Sequence, residues 1–375
     1  LPASRQSRSV MTIIAAIVLS LVGLLCVLTT LLPFFPPAHG FYRVFDFPRL
    51  QNATLAAGGL SLTATLFPLQ GWWLILALGF GVTLLVQGWH IARFSPLWRR
   101  RSSDYEGEEG AAPTVRLLVS NVKQSNRDTE KALQLTRRLE PDVALFMETD
   151  ERWASALDSL KGAYPHTMRC VLDNGYGMML YSRFELDNRE IKFLLNEEVP
   201  SFHATMKTPE GDRFRFIALH PEPPTISQTT VGRDAEIMQV AKIVRQNDRP
   251  VIVCGDLNDV AWSRTTRRFL RVSRLLDPRE GRGMYNTFDA RYFFLRWPLD
   301  HIFHSPHFQL VNMRRMPFIG SDHFPMHYTL ALTLQEKPRR ALDEADAQDL
   351  REAEKLIVEE QQRDAHPPIG HDWEK

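Results

Sequence analysis

Cysteine is scarce in this chain: Cys26, Cys170 and Cys254 are the only three in 375 residues, too few and too scattered for a disulfide framework or a thiolate metal cluster. They say nothing of the redox compartment. An excess of either charge is also missing, because 45 Lys+Arg stand against 44 Asp+Glu for a formal net charge of +1. Bulk electrostatics therefore dictates no polyanionic partner. No repeat at a period of about 20–50 residues is present, which excludes solenoids and propellers. The sequence opens at Leu1 rather than at methionine, the expectation being either that a few leading residues are missing or that the start is left over from processing.

Charge itself is the scarcest feature near the N-terminus. Val10–Phe35 carries none, and about 20 apolar residues suffice to cross a hydrocarbon core of ~30 Å as a helix. A cleaved secretory leader would have a shorter apolar region and a small-residue cleavage site, whereas this one runs into Leu-Leu-Pro-Phe-Phe. Two further uncharged stretches, Leu50–Leu69 and Trp72–Ala92, are separated by Gln70-Gly71 and read as a helical hairpin in a bilayer. The expectation is a membrane region over residues 1–98 with three transmembrane helices. Arg93, Arg99, Arg100 and Arg101 follow the third span, and the positive-inside rule places them, with the large C-terminal part, in the cytoplasm.

Residues 99–113 change from basic to acidic and are rich in Ser, Gly and Ala, the texture of a solvated linker. Residues 114–335 alternate short β-branched or aromatic runs with helical stretches, which predicts a mixed α/β domain. Residues 336–375 are charged, with loose helical spacing, and predict a surface helix and a frayed tail.

Within 114–335, polar residues recur where strands end. Val115–Ser120 leads to Asn121, Asp142–Met147 to Glu148, Phe214–Leu219 to His220, and Pro250–Gly255 to Asp256 and Asn258. Asp300 opens one late run, and Asp322-His323 precede another. Each alone is an ordinary strand-end or turn residue; together they predict a crevice in which side chains converge. Carboxylates of Glu148 and Asp322 with an amide oxygen of Asn121 or Asn258, and no cysteine, suit Mg²⁺ or Mn²⁺. Asp256 is then free to orient water. His323 suits a general base or a phosphate-contacting imidazolium, with Asp300 fixing its tautomer. A zinc centre built from His220, His301, His304, His307 and His323 is the competing metal reading, and no His-x-x-x-His pair on a helix supports it.

The ordered set Ser-Asn (Asn121), Phe-Met-Glu (Glu148), Ala-Leu-His-Pro-Glu-Pro (His220), Gly-Asp-Leu-Asn-Asp (Asp256, Asn258), Leu-Asp-His-Ile-Phe (Asp300) and Ser-Asp-His-Phe-Pro (Asp322, His323) resembles the motif series of the endonuclease/exonuclease/phosphatase superfamily. The likeness marks a membrane-anchored, bacterial-type member of that deoxyribonuclease-like fold. It implies a four-layer α/β/β/α sandwich and metal-dependent phosphoester hydrolysis at one edge of the sheets. It also implies a metal neighbourhood of Asn121, Glu148 and Asp322, a water-orienting and phosphate-binding pair in Asp256 and Asn258, an Asp300–His323 couple, and a phosphate-contacting His220.

Arg264, Arg267, Arg268, Arg271 and Arg274 fall on one helical face just past Asp256. They read either as a solvated face or as a track for the phosphates of nucleic acid or anionic lipid. Over residues 111–335 there are 30 basic against 27 acidic residues, a modest surplus for holding a long polyanion. The substrate class therefore stays open between nucleic acid and phospholipid, with the lipid bilayer as the other partner. A non-catalytic membrane-bound scaffold of the same fold is the alternative, and it predicts a broken motif set; here every motif position holds a chemically competent residue.

Overall fold

The computed structural model describes residues 2–35, 37–108, 110–333 and 344–363, and divides into two units, residues 1–37 with 41–93, and residues 38–40 with 94–375. The first unit is helical: α1 (Pro2–Leu31), the one-turn α2 (Gly40–Arg43, which begins in the other unit), α3 (Arg49–Leu66) and α4 (Gly71–Ile91). Leu19, Cys26, Ala56, Leu76 and Phe80 form a small core among the three long helices. Most other apolar side chains of α1 and α4 whose burial is described are exposed. Val10–Phe34 and Gly71–Phe94 are long and apolar enough to cross a membrane. The expected middle span, Leu50–Leu69, becomes α3, whose Arg49, Asn52 and Thr63 are buried polar positions. Arg49 binds Asp46 and donates to Gln87 (3.0 Å), which in turn donates to Thr30 (2.9 Å). This network satisfies polar groups that would otherwise be expensive to bury.

In the second unit, the runs with period-two or continuous apolar pattern become eleven strands in two sheets. The first contains β1 (Thr114–Asn121), β2 (Val143–Met147), β3 (His166–Cys170), β4 (Met178–Ser182), β10 (Phe308–Arg315) and β11 (Met326–Leu332) in the order β10-β11-β1-β2-β4-β3. The second contains β5 (Glu185–Phe193), β6 (Pro200–Lys207), β7 (Arg213–Leu219), β8 (Val251–Asp256) and β9 (Asp300–His304) in chain order. Leu117, Val119, Leu145 and Leu180 of one sheet pack against Phe202, Phe216, Ile252 and Ile302 of the other to form the central core. Helices cover the opposite faces, so the central strands β2, β4 and β8 are buried along their whole length and read as nearly unbroken apolar runs, while β5 at the edge is mostly exposed.

Helices α5 (Thr129–Leu139) and α6 (Glu151–Leu157) cover the first sheet, with Leu133 and Trp153 against Leu118 and Phe146. Asp128 caps α5 by accepting from the Lys131 amide, as its place before the apolar periodicity predicts. Helices α7 (Val231–Arg245), α8 (Arg264–Ser273) and α9 (Ala347–Gln361) cover the second, through Ile237, Val240, Phe269 and Ile357. The domain is thus the four-layer α/β/β/α sandwich.

Part of the expected linker is bound to the domain: Arg282 binds Asp104 and the Ser102 carbonyl, Tyr105 donates its amide to the Leu310 carbonyl, Leu310 donates to the Ser103 carbonyl, and Ser102 bonds His304 (2.8 Å). Glu106 and Glu108 remain exposed, as a solvated segment predicts. The expected surface helix is α9, which buries Ala353, Leu356 and Ile357 on one face and whose Asp349 accepts from Arg268 and Arg271. The tail beyond residue 363 lies outside the described residues.

Candidate active site

The parallel pairs β1–β2 and β7–β8 bring the C-terminal ends of four strands to one edge of the sandwich. Asn121 ends β1, Glu148 follows β2, His220 follows β7, and Asp256 ends β8. Antiparallel pairing of β8 with β9 sets Asp256 opposite Asp300, and the turn before β11 carries Asp322 and His323. The backbone there is unusual in ways that aim side chains. Gly255 has φ +143°, and any Cβ would lie 1.9 Å from the Leu219 carbonyl, so only glycine lets β8 approach β7 just before Asp256. Lys123, Glu148 and Asn258 adopt left-handed φ of 59°, 60° and 50°, uncommon for residues with a Cβ and concentrated at functional turns.

Asn121, Glu148, Asp256, Asp300 and His323 form a continuous buried network. Asn121 Nδ2 donates to Glu148 Oε1 (2.5 Å) and to Asp256 Oδ2 (3.1 Å), so one amide joins carboxylates from the two sheets. His323 Nδ1 bonds Asp300 Oδ2 at 2.8 Å, while its Nε2 lies 3.4 Å from Asp256 Oδ2. Phe288 packs on the same imidazole with ring centres 4.9 Å apart. His220 Nε2 stands 3.9 Å from Asp256 Oδ2, and among the described residues neither ring nitrogen of this buried histidine has a hydrogen-bond partner. Asp256 Oδ1 accepts from the Asn258 amide (2.9 Å), and Asn258 Nδ2 donates to the Pro221 carbonyl (2.9 Å).

These environments push the two histidines apart. Burial alone would lower His323, but the surrounding Asp300, Asp256 and Asp322 override it and hold the imidazole up at about 10. Burial likewise lowers His220, and with Asp256 only partly opposing it, the ring falls to about 4. One is an imidazolium and the other a neutral ring at neutral pH. Burial raises the Asp300 carboxyl, against the pull of His323.

Asp322 enters differently from expectation. Its Oδ2 accepts from Lys123 Nζ at 2.5 Å, and Arg291 stands 3.8 Å away. Lys123 was not singled out from the sequence. The available signal was its place two residues past Asn121 in the same strand-end turn, where its amide donates to Asn121 Oδ1 (3.0 Å). Tyr176, 5.4 Å from the His220 ring, and Thr287, whose hydroxyl receives the Asp300 amide (3.2 Å), were likewise invisible, since nothing local marks them.

The arginine face is only partly retained. Arg268 and Arg271 are not available as a phosphate track, because both hold Asp349 of α9, Arg271 at 2.6 and 2.7 Å and Arg268 at 3.3 Å. Arg264 and Arg267 stand on the same helix, α8, the first exposed and the second half-buried. The zinc reading fails on geometry. His301 and His304 each have both ring nitrogens engaged, by Arg279 and the Asp259 carbonyl, and by Ser102 and the Ser305 carbonyl.

A divalent cation fits the residues present. The donors include hard, buried carboxylates: Glu148 and Asp256 converge on one amide, and among the described residues Asp300 Oδ1 is buried with no hydrogen-bond partner. Donor atoms of Asp256, Asp300 and His323 lie within 4.8 Å of one another, close enough to share one cation.

Comparison with curated protein sequences gives no match. Solved structures of similar fold include the human Nocturnin catalytic domain with bound sulfate anion, at 17% identity and a TM-score of 0.48 over 59% of this chain and 96% of that one. Others are D. rerio TDP2 complexed with single strand DNA product (16%, TM-score 0.48, 58% and 98%) and an endonuclease/exonuclease/phosphatase from Bacteroides vulgatus (16%, TM-score 0.49, 59% and 99%). The profile of the Endonuclease/Exonuclease/phosphatase family matches residues 118–323, more than half of the sequence, from within β1 to His323. The chain belongs to the Endonuclease/Exonuclease/phosphatase family.

Proposed function

We propose that this protein is a membrane-anchored, divalent-metal-dependent phosphodiesterase that splits a phosphorus–oxygen bond of a nucleic acid or a phospholipid head group by in-line attack of water. The observation that carries the reading is the single network joining Asn121, Glu148, Asp256, Asp300 and His323 across two sheets. Burying that many ionisable groups is costly unless they serve a ligand or a reaction. On this reading residues 1–98 anchor the chain in a bacterial plasma membrane, and residues 114–335 are the hydrolase on its cytoplasmic side. The two helices long and apolar enough to cross a bilayer support the anchor.

Glu148, Asn121 through its amide oxygen, and Asp322 would hold Mg²⁺ or Mn²⁺. The ion, when bound, polarises a phosphoryl oxygen and stabilises the charge of the displacement. Asp256 orients the attacking water and accepts its proton. His323, pinned by Asp300, presents an imidazolium Nε2–H to a phosphate oxygen rather than acting as the base. His220 offers a neutral ring with both nitrogens uncommitted, and Asn258 positions the Asp256 carboxylate through its backbone amide. Lys123 places a second cation beside the phosphate, and Arg264 and Arg267 extend the positive surface along α8.

The test is a screen of the detergent-solubilised protein and Asp256→Ala against plasmid DNA, RNA, sphingomyelin, phosphoinositides and a chromogenic phosphodiester, with Mg²⁺ and with chelator. Metal-dependent turnover lost in Asp256→Ala is the expected result. Silence on every substrate would favour the scaffold reading. Labelling an engineered tail cysteine in intact cells reports which membrane face carries the domain.

A further inference from the structure

Beside the site, residues 289–297 form a loop whose tip breaks the usual rule for apolar side chains. Phe293 is 83% exposed, Tyr292 49% and Phe294 64%, consecutive aromatic residues on the water side of a folded domain. Isolated exposed apolar residues are ordinary, but a contiguous aromatic patch is not. Phe318, 46% exposed, extends the patch through its contact with Phe324.

The loop is rooted in the site itself. Ala290 donates its amide to the Asp322 carbonyl (2.7 Å), Phe288 bridges to both Trp297 and His323, and Arg291 is clamped by Asp289. Arg291 lies over Tyr292 at the tip, while Arg296 and Arg315 lie over the buried Phe324 beside the site at 5.0 and 4.5 Å. The foot is bonded to the site and the tip is exposed.

From this arrangement we propose that residues 291–296 are an interfacial finger, which buries Phe293 and Tyr292 in the head-group and acyl boundary of an anionic lipid surface beside the active site. Aromatic rings with adjacent arginines are the composition that partitions into that boundary, the rings displacing water and the guanidinium groups meeting lipid phosphates. Charge complementarity selects the anionic surface. Single-stranded nucleic acid also stacks on aromatic rings, but it needs a basic groove along its backbone, and the surplus over residues 111–335 is only 30 basic to 27 acidic. The proposal rests on the phosphodiesterase reading only for its consequence, the delivery of a membrane phosphodiester to the site, and not for the insertion itself.

The experiment places a nitroxide at Phe293→Cys in the full chain, reconstituted in bilayers of phosphatidylcholine with or without phosphatidylglycerol, and compares collisions with oxygen and with an aqueous nickel complex. A label at Glu210→Cys, in the exposed turn between β6 and β7, is the aqueous control. Expected is a reversal at position 293, with oxygen collisions exceeding those with nickel once phosphatidylglycerol is present, and a partial loss of that reversal in high salt. Tyr292→Cys gives the same reading should the first variant fail to assemble. Accessibility equal to the control in both bilayers overturns the proposal. Shielding that appears only with added oligothymidylate also overturns it, and assigns the finger to nucleic acid. No turnover is measured, so an inactive protein with a lipid-buried label would refute the phosphodiesterase reading and leave the finger standing.

Discussion

His323 is gripped from one side only: Asp300 takes its Nδ1 at 2.8 Å, and its Nε2 faces Asp256 Oδ2 at 3.4 Å. That asymmetry fixes the tautomer and leaves one nitrogen directed into the crevice.

The proton on this ring depends on Asp300. Because His323 is held up at about 10, well above the ordinary histidine value, its charged form persists below that pH and is lost as pH rises through it. Asp300→Asn removes the nearest carboxylate, so the alkaline limb of the kcat/KM profile moves to lower pH. His323→Ala lowers kcat by about 10²–10⁴-fold, with circular dichroism unchanged. A pH–rate series on the three proteins checks both.

In the proposed metal site, Lys123 would stand across Asp322 from the cation and repel it. Lys123→Met therefore tightens Mg²⁺ binding, read by calorimetry, while kcat falls because a cation near the transferred phosphate is gone. Glu148→Gln does the reverse to the metal, weakening it without removing the ammonium. Equal Mg²⁺ affinity in wild type and Lys123→Met would show that the ammonium stands clear of the ion.

Buried histidines outside the site set an acid limit on stability. Burial, reinforced by Lys192 and Arg215, lowers His203 to about 4, and burial lowers His304 to about 4 against its bond to Ser305. A ring whose pKa is depressed on folding stabilises the fold above the unfolded value, about 6.5, and that stability is lost as pH falls toward 4. The thermal midpoint in detergent should drop steeply across that window. In His203→Gln the drop is shallower, because one buried proton acceptor has been removed.

Helix α9 is latched by charge. Asp349→Ala strands Arg268 and Arg271, the first of them buried, and costs about 3–5 kcal/mol of domain stability. A shift of the urea midpoint measures it. Asp349→Asn, which keeps two hydrogen-bonding groups, loses less.

Much of the site was legible locally. Asn121, Glu148 and Asp256 each stand where an apolar run ends, and Asp300 and His323 stand where one begins, positions that local pattern alone marks. Lys123 and Tyr176 were not, because their roles come from neighbours 199 and 44 residues away in sequence, Asp322 and His220. The arginine face misled for the same reason: helical spacing put Arg268 and Arg271 on one side of α8, but not the aspartate of α9 that occupies them.

What the order of residues determined by itself was the set of elements and the chemistry at their ends, since alternation, capping and apolar runs act over a few residues. Which of those ends meet, which arginines are neutralised, and how far each imidazole departs from its ordinary pKa were decided only by packing two sheets face to face. Electrostatics in a buried crevice depends on distances of a few ångströms between groups far apart along the chain, and only tertiary structure sets those distances.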